Sequence, residues 1–337
     1  MSALKNNWLL LVVIFLGFCL RAFNLGSIPG QTFDEVFYPT YGLNYILGET
    51  FFSVHPPVGT YLISLSIYIY HLLPWTEPAL SAGINLLEIN PVSYRWLNVI
   101  SGTFIIYLAY KLCIELFDKK HLALLAAVFF ALDGSLLVDS RFGLINVYLS
   151  LFGLLSALFL LKYFKGKGNL TFLLIGCFML GLTFSIKWNG LGFWLMSILF
   201  ALFILFLNKH LKKDLKEASL ITVNNFKTYF LCMLFLPFMG YLIFWIPDVF
   251  MNGTNVVDRH FQMFFYHTDY ADQKYHPYSS SWFTWPIMLR PIAYYFSSYE
   301  MLDVSGSAIK MYTAVHLFPN PALTFFSSIA IFIMSLN

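Results

Sequence analysis

Two adjacent acids, Asp34 and Glu35, stand in the stretch QTFDEVFYPT, a few residues after a long apolar run. Neighbouring side chains point about 100° apart on a helix and to opposite faces of a strand, so only one carboxylate is easily aimed at a given atom. Close to apolar and aromatic groups, two such acids raise each other's proton affinity, which suits a general base. Acids also cap helix N-termini, and the pair alone leaves both interpretations open.

Three further side chains could hold or orient a polar substrate. His55 precedes two prolines in VHPPVG, which either fixes its imidazole near the membrane surface or simply gives the next helix a rigid start. Arg141 lies between two apolar runs, where a charge is costly unless it meets a ligand phosphate or a nearby acid such as Asp133 or Asp139. Lys187 stands at the boundary of another run, where its chain can simply extend to the membrane surface.

The composition fixes the surroundings in which these residues work. The chain has 337 residues, of which 59% are hydrophobic and 11% charged, with a mean hydropathy of +0.70. A soluble domain carries about 25% charged residues, so this chain is predicted to be a membrane protein. Its four cysteines lie in apolar runs without metal-type spacing and are interpreted as small apolar side chains. The start has no small-residue cleavage signature, which predicts an uncleaved first span.

Apolar runs near the length of about 20 residues that crosses a bilayer recur along the chain. They fall at about 7–23, 94–116, 121–138, 144–163, 170–187, 189–207, 229–247 and 321–336. The run 58–73 is bounded by prolines and is on the short side, so it is predicted to be an interfacial or re-entrant helix.

Charge placement predicts the orientation of these spans. With Met1 inside, twelve of the fifteen lysines fall on the inner side, as the positive-inside tendency requires. All five arginines and thirteen of the seventeen acids fall on or near the outer side. Because arginine is suited to grip anions, the outer face is predicted to be the working face.

Two long segments, about 24–93 and 248–320, lie on that face. In the first, Pro39 is predicted to begin a short helix that ends at Gly48. The second is dense in aromatic residues, among them Trp282 and Trp285. They are typical of an aromatic belt at the membrane interface, but they could equally stack on a sugar or a peptide.

Four blocks in order resemble the protein O-mannosyltransferase family, integral-membrane enzymes that use a polyprenyl-phosphate sugar. They are FDEVFYPTYGLNYILGETFFSVHPPVGTYLI (33–63), ALDGSLLVDSRFGLINVYLSLF (131–152), GLTFSIKWNGLGFW (181–194) and HPYSSSWFTWPIMLRPIAYYF (276–296). A lone Asp-Glu pair is a weak signal, whereas this ordered set extends from residue 33 to residue 296, most of the length of the chain. The resemblance implies an all-α integral-membrane fold of the GT-C type, a multi-span helical bundle whose long outer loops carry short interfacial helices.

The resemblance also implies the chemistry. A sugar on a polyprenyl phosphate would be the donor, a serine or threonine hydroxyl of a secreted or membrane protein the acceptor, and Asp34 the base. Glu35 would support the loop or the acceptor. The guanidinium of Arg141 would hold the departing phosphate.

The remaining site candidates are weaker on sequence alone. Lys187 and Arg290 are further candidates for the phosphate, and His55, Trp282 and Trp285 are candidates for positioning the substrate. Phosphate is already a good leaving group, so one base and cations suffice. Direct attack by the acceptor would invert the anomeric centre. No metal and no cofactor are expected.

The sequence divides into a catalytic membrane module (1–247), an outer loop (248–320) and the start of a shortened C-terminal membrane region (321–337). The outer loop is too short for the extra soluble domain of eukaryotic members, which favours the prokaryotic type. Rival interpretations are a transferase acting on a lipid or glycan, a transporter, and an inactive shortened member. Charges at span ends rather than mid-span argue against a transporter.

Overall fold

The computed structural model describes residues 7–76, 78–165, 169–210, 223–271, 279–302 and 308–336. The helices are α1 (Trp8–Ala22), α2 (Tyr38–Leu47), α3 (Val58–His71), α4 (Val92–Phe117), α5 (Lys120–Leu132), α6 (Gly134–Asp139), α7 (Asn146–Lys165), α8 (Leu170–Phe184), α9 (Leu191–His210), α10 (Val223–Phe244), α11 (Ile246–Asn252), α12 (Val256–Ala271) and α13 (Pro321–Leu336). The strands are β1 (Ile292–Leu302) and β2 (Ala308–Leu317).

The predicted helical membrane bundle is confirmed. Within the described ranges, four helices are long and apolar enough to cross a membrane: Val92–Phe117, Asn146–Lys165, Trp188–Phe206 and Phe226–Asn252. Shorter apolar helices lie at the remaining predicted spans: Trp8–Ala22, Lys120–Leu132, Leu170–Phe184 and Pro321–Ile333.

Helix α4 is the centre of the first half of the bundle. It packs against α1, α3, α5 and α7, while α8 packs against α7 and α10. The buried positions of α4 include Ser93, Asn98, Ser101 and Gly102. Small residues let helix backbones approach closely where lipid supplies no hydrophobic driving force between helices.

Both helices predicted for the first long loop are present. Helix α2 has Pro39 in its first turn and ends at Gly48, whose φ of +73° is in the left-handed region that glycine tolerates. The run 58–73 forms α3, whose 14 residues span about 21 Å. That is less than the ~30 Å hydrocarbon core, but α1, α5 and α8 are about as short, so the non-crossing character of α3 stays a prediction.

The prediction of one continuous span over 121–138 is wrong. Helix α5 ends at Leu132, and Asp133 caps the separate helix α6 by accepting a hydrogen bond from the Leu136 amide at 3.0 Å and one from the Ser135 hydroxyl. The second Asp133 oxygen accepts from the Asn320 amide at 3.0 Å. A carboxylate with these three donors fixes a break in the apolar run that hydropathy alone does not show.

The second long loop contains two strands, whereas the sequence had predicted an all-α fold. Strands β1 and β2 form an antiparallel hairpin in which Ile292 pairs with Leu317 at the root and Leu302 with Ala308 at the far end. The register shifts between Ala293 and Tyr295. This bulge leaves Tyr294 unpaired and turns its side chain, which is 5% exposed, into the bundle.

Helices α11 and α12 are tied to the first long loop. The Phe51 amide donates to Asn252 at 2.8 Å, and Arg259 donates to the Phe51 carbonyl at 2.8 Å. Asp248 accepts from Asn252 at 2.8 Å and from the Tyr45 hydroxyl. The two long loops therefore form one structure at one end of the bundle.

Gly59 of the VHPPVG segment is packed too closely for a side chain. A Cβ there would lie 2.6 Å from Ile145 and 3.1 Å from Ile186. Gly59→Ala is expected to lower the free energy of unfolding by about 1–3 kcal/mol, because overpacking forces neighbours off their rotamers. Thermal unfolding of the purified protein in one detergent measures the change. Gly192→Ala is the control, since nothing lies within 4 Å of its Cβ position; equal effects of the two substitutions would contradict the prediction.

Candidate active site

The Asp-Glu pair lies in a short 3-10 turn, Phe33–Val36, which splits the two carboxylates. Phe33 has a φ of +54°, a strained conformation for a residue with a side chain. Glu35 is fully buried, whereas Asp34 is half-buried. Among the described residues, no hydrogen bond or ion pair engages the Asp34 carboxylate within normal distances, so its oxygens are free to accept a proton.

Glu35 is held by four donors. Arg95 donates from Nε and Nη2 at 2.8 and 2.7 Å, the Gly143 amide at 2.6 Å, and the Thr32 amide at 2.9 Å. Arg95 is also fully buried, and its remaining donors reach loop carbonyls, including that of Gly30 at 2.9 Å. Glu35 therefore has little capacity left for a substrate, and its contacts fit the supporting role that the sequence suggested.

Lys187 is the cation that faces Asp34. Its Nζ donates to the side-chain oxygen of Asn146 at 3.0 Å and lies 6.0 Å from the centre of the Tyr38 ring. Burial lowers the pKa of Lys187, while Asp34 and Asp139 raise it and so favour the charged form. Burial raises the pKa of Asp34, against the opposing effect of Lys187. The site thus pairs a carboxylate that binds protons more strongly than usual with a cation held among carboxylates.

Tyr294, on the β1 bulge, closes one side of this group. Its hydroxyl donates to Asp139 at 2.5 Å, and its ring stacks on Phe33 with centroids 4.5 Å apart. Burial raises the pKa of Asp139, and hydrogen bonds from Tyr294 and Asn146 oppose that shift. The hairpin is therefore fixed to the residue next to Asp34.

His55 is also close enough to Lys187 to feel its charge. Its ring stacks on Tyr38 at 6.1 Å and on His267 of α12 at 5.6 Å. Burial first, and then the charges of Lys187 and His267, lower the pKa of His55 to about 3. The imidazole is consequently neutral near pH 7, so it can exchange hydrogen bonds with a substrate but cannot supply a positive charge.

A two-part cleft begins at His55. The polar part, about 430 Å³, is lined by His55, Asn189, His267 and Thr268, together with Trp188 and Phe264. Trp188 and Phe264 also line a second, almost wholly apolar cavity of about 550 Å³ between α12 and Leu242 of α10. The two volumes therefore adjoin, and the cleft changes from polar to apolar toward a membrane helix.

Helix α12 is held over this cleft by a short hydrogen-bonded chain. Trp188 Nε1 donates to the Tyr241 hydroxyl at 3.1 Å, and that hydroxyl pairs with His260 Nε2 at 2.6 Å. His260 Nδ1 pairs with the Val256 carbonyl at 2.6 Å. With a proton on Nδ1, His260 donates to Val256 and accepts from Tyr241 through Nε2, so every member of the chain has a partner.

Arg141, the residue predicted to hold the phosphate, makes its hydrogen bonds to the end of α1. Arg141 donates from Nη1 to the carbonyls of Leu20 and Arg21 at 2.7 and 3.2 Å. With Arg95, it lines a separate cavity of about 70 Å³. The phosphate role predicted for Arg141 stays a prediction, as does the one predicted for Lys187.

Trp282 and Trp285 lie near α13, and Arg290 follows them a few residues later in the chain. Trp282 and Trp285 are 74% and 57% exposed, and their short 3-10 segment contacts α13. Trp285 donates to the Ser280 hydroxyl at 3.1 Å, and Arg290 donates to the Ser279 carbonyl at 2.8 Å. The substrate roles predicted for these three residues stay predictions.

Three residues of the group escaped sequence reasoning in these roles: Asp139, Asn146 and Tyr294. Asp139 had been considered only as a partner for Arg141, and no motif marked Asn146 or Tyr294. Among the described residues, no three His, Cys, Asp or Glu side chains come together in a way that could hold a metal ion.

The fold defines the class of protein. The bundle is similar to the Saccharomyces cerevisiae protein O-mannosyltransferase Pmt1-Pmt2 complex bound to the sugar donor, with a TM-score of 0.63 and 22% identity over 75% of this chain and 35% of that one. It is also similar to the oligosaccharyltransferase AglB of Archaeoglobus fulgidus in complex with an inhibitory peptide and a dolichol-phosphate, with a TM-score of 0.54 and 17% identity over 79% of this chain and 34% of that one. The fold is that of the GT-C membrane glycosyltransferases.

The family follows from the sequence match. Residues 11–249 match the model of the dolichyl-phosphate-mannose-protein mannosyltransferase family, and residues 253–337 match the C-terminal four-transmembrane region of protein O-mannosyltransferases. The chain therefore belongs to the protein O-mannosyltransferase family.

Curated relatives agree with this assignment. Protein O-mannosyl-transferase 2 of Drosophila melanogaster is 28% identical over 71% of this chain and 32% of its own length. Protein O-mannosyl-transferase 1 of Rattus norvegicus is 25% identical over the same shares, 71% and 32%. The match spans about a third of the length of these two relatives.

Proposed function

We propose that this chain transfers mannose from a polyprenyl-phosphate-linked donor to serine or threonine hydroxyls of proteins, with inversion at the anomeric carbon. The observation that carries the proposal is the Asp34 carboxylate, which has no hydrogen-bond partner among the described residues, opposite the Lys187 ammonium. This is the pair of groups that transfer from a sugar phosphate to a hydroxyl requires, one base and one cation. The charge of Lys187 also reaches His55, which lines the polar part of the cleft.

In the proposed step, the acceptor oxygen attacks the anomeric carbon from the side opposite the phosphate. Its proton passes to Asp34 as the new carbon–oxygen bond forms. The bond from the anomeric carbon to the phosphate oxygen breaks, and the electron pair leaves with the phosphate. Lys187 stabilises the charge that develops on that oxygen, and a single displacement of this kind inverts the configuration.

The two-part cleft fits such a donor. Its polar part adjoins His55, which is close enough to Lys187 for the charge of the lysine to affect the imidazole. Its apolar part runs along Leu242 and Phe261, where an isoprenoid chain would meet almost only apolar surface. The donor would thus lie with its phosphate near Lys187 and its chain under α12.

We place this end of the bundle on the outer face of the cell membrane, with the N-terminus inside. The support is the lysine distribution, which puts twelve of the fifteen lysines at the opposite side.

The test is transfer of labelled mannose from polyprenyl-phosphate mannose to a threonine-containing peptide by the chain in membranes. We expect a mannosylated peptide with the anomeric configuration opposite to that of the donor, and no product with the matching alanine peptide. If the label is found on lipid or glycan and the peptide is unmodified, the proposal is wrong, and the chain is instead a transferase that acts on a lipid or glycan acceptor.

The pH profile of kcat/KM is expected to be a bell. Activity needs ionised Asp34 and protonated Lys187. Burial raises the pKa of Asp34 above 3.8, so activity is lost as pH falls through a value above 3.8. Burial lowers the pKa of Lys187 below 10.5, so activity is also lost as pH rises through a value below 10.5.

Lys187→Met separates the two limbs of that bell. In this variant the activity is expected to be lower throughout and the alkaline limb absent, while the acid limb remains. An alkaline limb that persists in Lys187→Met would assign it to a different group.

A further inference from the structure

The hairpin carries an unpaired edge. In a two-stranded sheet each strand forms ladder hydrogen bonds on one side only, so alternate backbone amides and carbonyls of β1 point away from β2. Among the described residues, β1 pairs with β2 alone, and β1 is 11 residues long. Sequences protect such edges with prolines, lysines or inward charges, but β1 contains only one charged residue, Glu300, which is paired across the hairpin with Lys310.

The root of that edge reaches the candidate active site. The turn Phe33–Val36 contacts β1, whereas α6 contacts β2. Tyr294, on the β1 bulge, stacks on Phe33, the residue before Asp34. A chain lying along β1 would therefore run toward Asp34 at one end.

Beyond the root, the hairpin is exposed. Phe296, Tyr299 and Leu302 on β1 are 67%, 52% and 69% exposed. A two-stranded hairpin is marginally stable by itself, and a third strand is the usual way to complete it. Large exposed side chains on alternate faces would flank a strand added there.

We infer that the free edge of β1 binds the acceptor polypeptide as a third, extended strand. This inference rests on the proposed function and specifies how its acceptor is recognised. Pairing along Tyr295–Leu302 would hold about eight residues, roughly 27 Å of extended chain. The hydroxyl to be modified would lie just beyond the paired segment, next to Tyr294 and Asp34.

Recognition of this kind reads the backbone of the acceptor rather than its sequence. Main-chain hydrogen bonds supply the affinity, and the side chains of the added strand alternate between the two faces. Acceptors would then share an extended segment free of proline beside the modified residue, while the side chains of that segment vary.

The test is a scan of backbone N-methylation along the acceptor peptide. One threonine peptide with eight flanking residues is methylated at one amide at a time, and kcat/KM for mannosyl transfer is measured with the intact chain. We expect a period of two, with losses of about 3–10-fold at every second amide and near-unmodified rates between. A flat profile, or one without that period, overturns the inference and would indicate recognition by side chains or a hairpin covered by lipid or a second copy.

A matched pair of hairpin variants tests the same point from the protein side. Ser297 and Ser298 are neighbours on β1, so the amide of one bonds β2 and the amide of the other faces the free edge. We expect proline at the edge-facing position to raise the KM for the peptide and keep the unfolding temperature. Proline at the other position should lower the unfolding temperature. Unchanged KM in the variant that keeps its unfolding temperature would overturn the inference.

The unmethylated peptide separates the two proposals. Transfer to it together with a flat scan refutes edge pairing and leaves the proposed function standing. No transfer to it refutes the proposed function, and the inference falls with it.

Discussion

Asp34→Asn is expected to lower mannosyl transfer by about 10²–10⁴-fold, the usual contribution of a positioned general base. Asparagine keeps the size of the side chain but cannot accept the hydroxyl proton. The loss should appear in kcat, because the donor phosphate is assigned to Lys187 and the acceptor to other contacts. Initial rates with polyprenyl-phosphate mannose and a threonine peptide measure it.

The same variant should fold normally. In the described part of the chain, no hydrogen bond holds the Asp34 carboxylate, so its replacement by the same-sized asparagine breaks no hydrogen bond there. We expect the unfolding temperature of Asp34→Asn to match that of the unchanged chain in the same detergent. Undiminished turnover by this variant would show that Asp34 is not the base and would refute the mechanism.

Glu35→Ala is expected to destabilise the protein by about 3–5 kcal/mol, since it leaves a buried guanidinium without its counter-charge. Arg95 and Glu35 are each fully buried, and the Gly143 and Thr32 amides lose their acceptor as well. Chemical or thermal unfolding in one detergent measures the change. Glu49→Ala, at an exposed position in the same loop, should stay within about 0.5 kcal/mol.

Substitutions of the two neighbouring acids should thus have different effects. Asp34→Asn should remove activity from a stable protein, and Glu35→Ala should remove stability. A Glu35→Ala variant with normal stability and no activity would instead place Glu35 among the groups that touch the substrate.

The membrane bundle was predictable because its signal is local. The length and hydropathy of each apolar run can be read from that run alone, and each of the eight predicted spans contains an apolar helix. The exception at Asp133 arises because one carboxylate, together with the Asn320 amide, ends a run that is otherwise apolar. Asn320 lies far along the chain from Asp133, so the sequence around Asp133 does not show this hydrogen bond.

The candidate site was predictable only in part, since its members meet through the fold. Asp34 and His55 were found because they lie in motifs. The sequence favoured a membrane-boundary role for Lys187. Its proximity to Asp34 and Asp139 arises only in the folded chain, so the sequence did not show it. The aromatic strands 292–302 and 308–317 do carry a local β signal, residues typical of strands on either side of a Ser-Gly turn sequence, so the hairpin could have been found.

The hydrogen bond between Tyr294 and Asp139 also limits when the site can be complete during synthesis of the chain. The two residues are 155 positions apart in the chain. At a synthesis rate of about 5–20 residues per second, Asp139 is made roughly 8–30 s before its partner. A newly made chain therefore carries its acid pair and its lysine through most of membrane insertion without the hairpin beside them. Under the proposed function, the enzyme would become competent only when its second long loop is complete, which protects the first parts of the nascent chain from premature modification by itself.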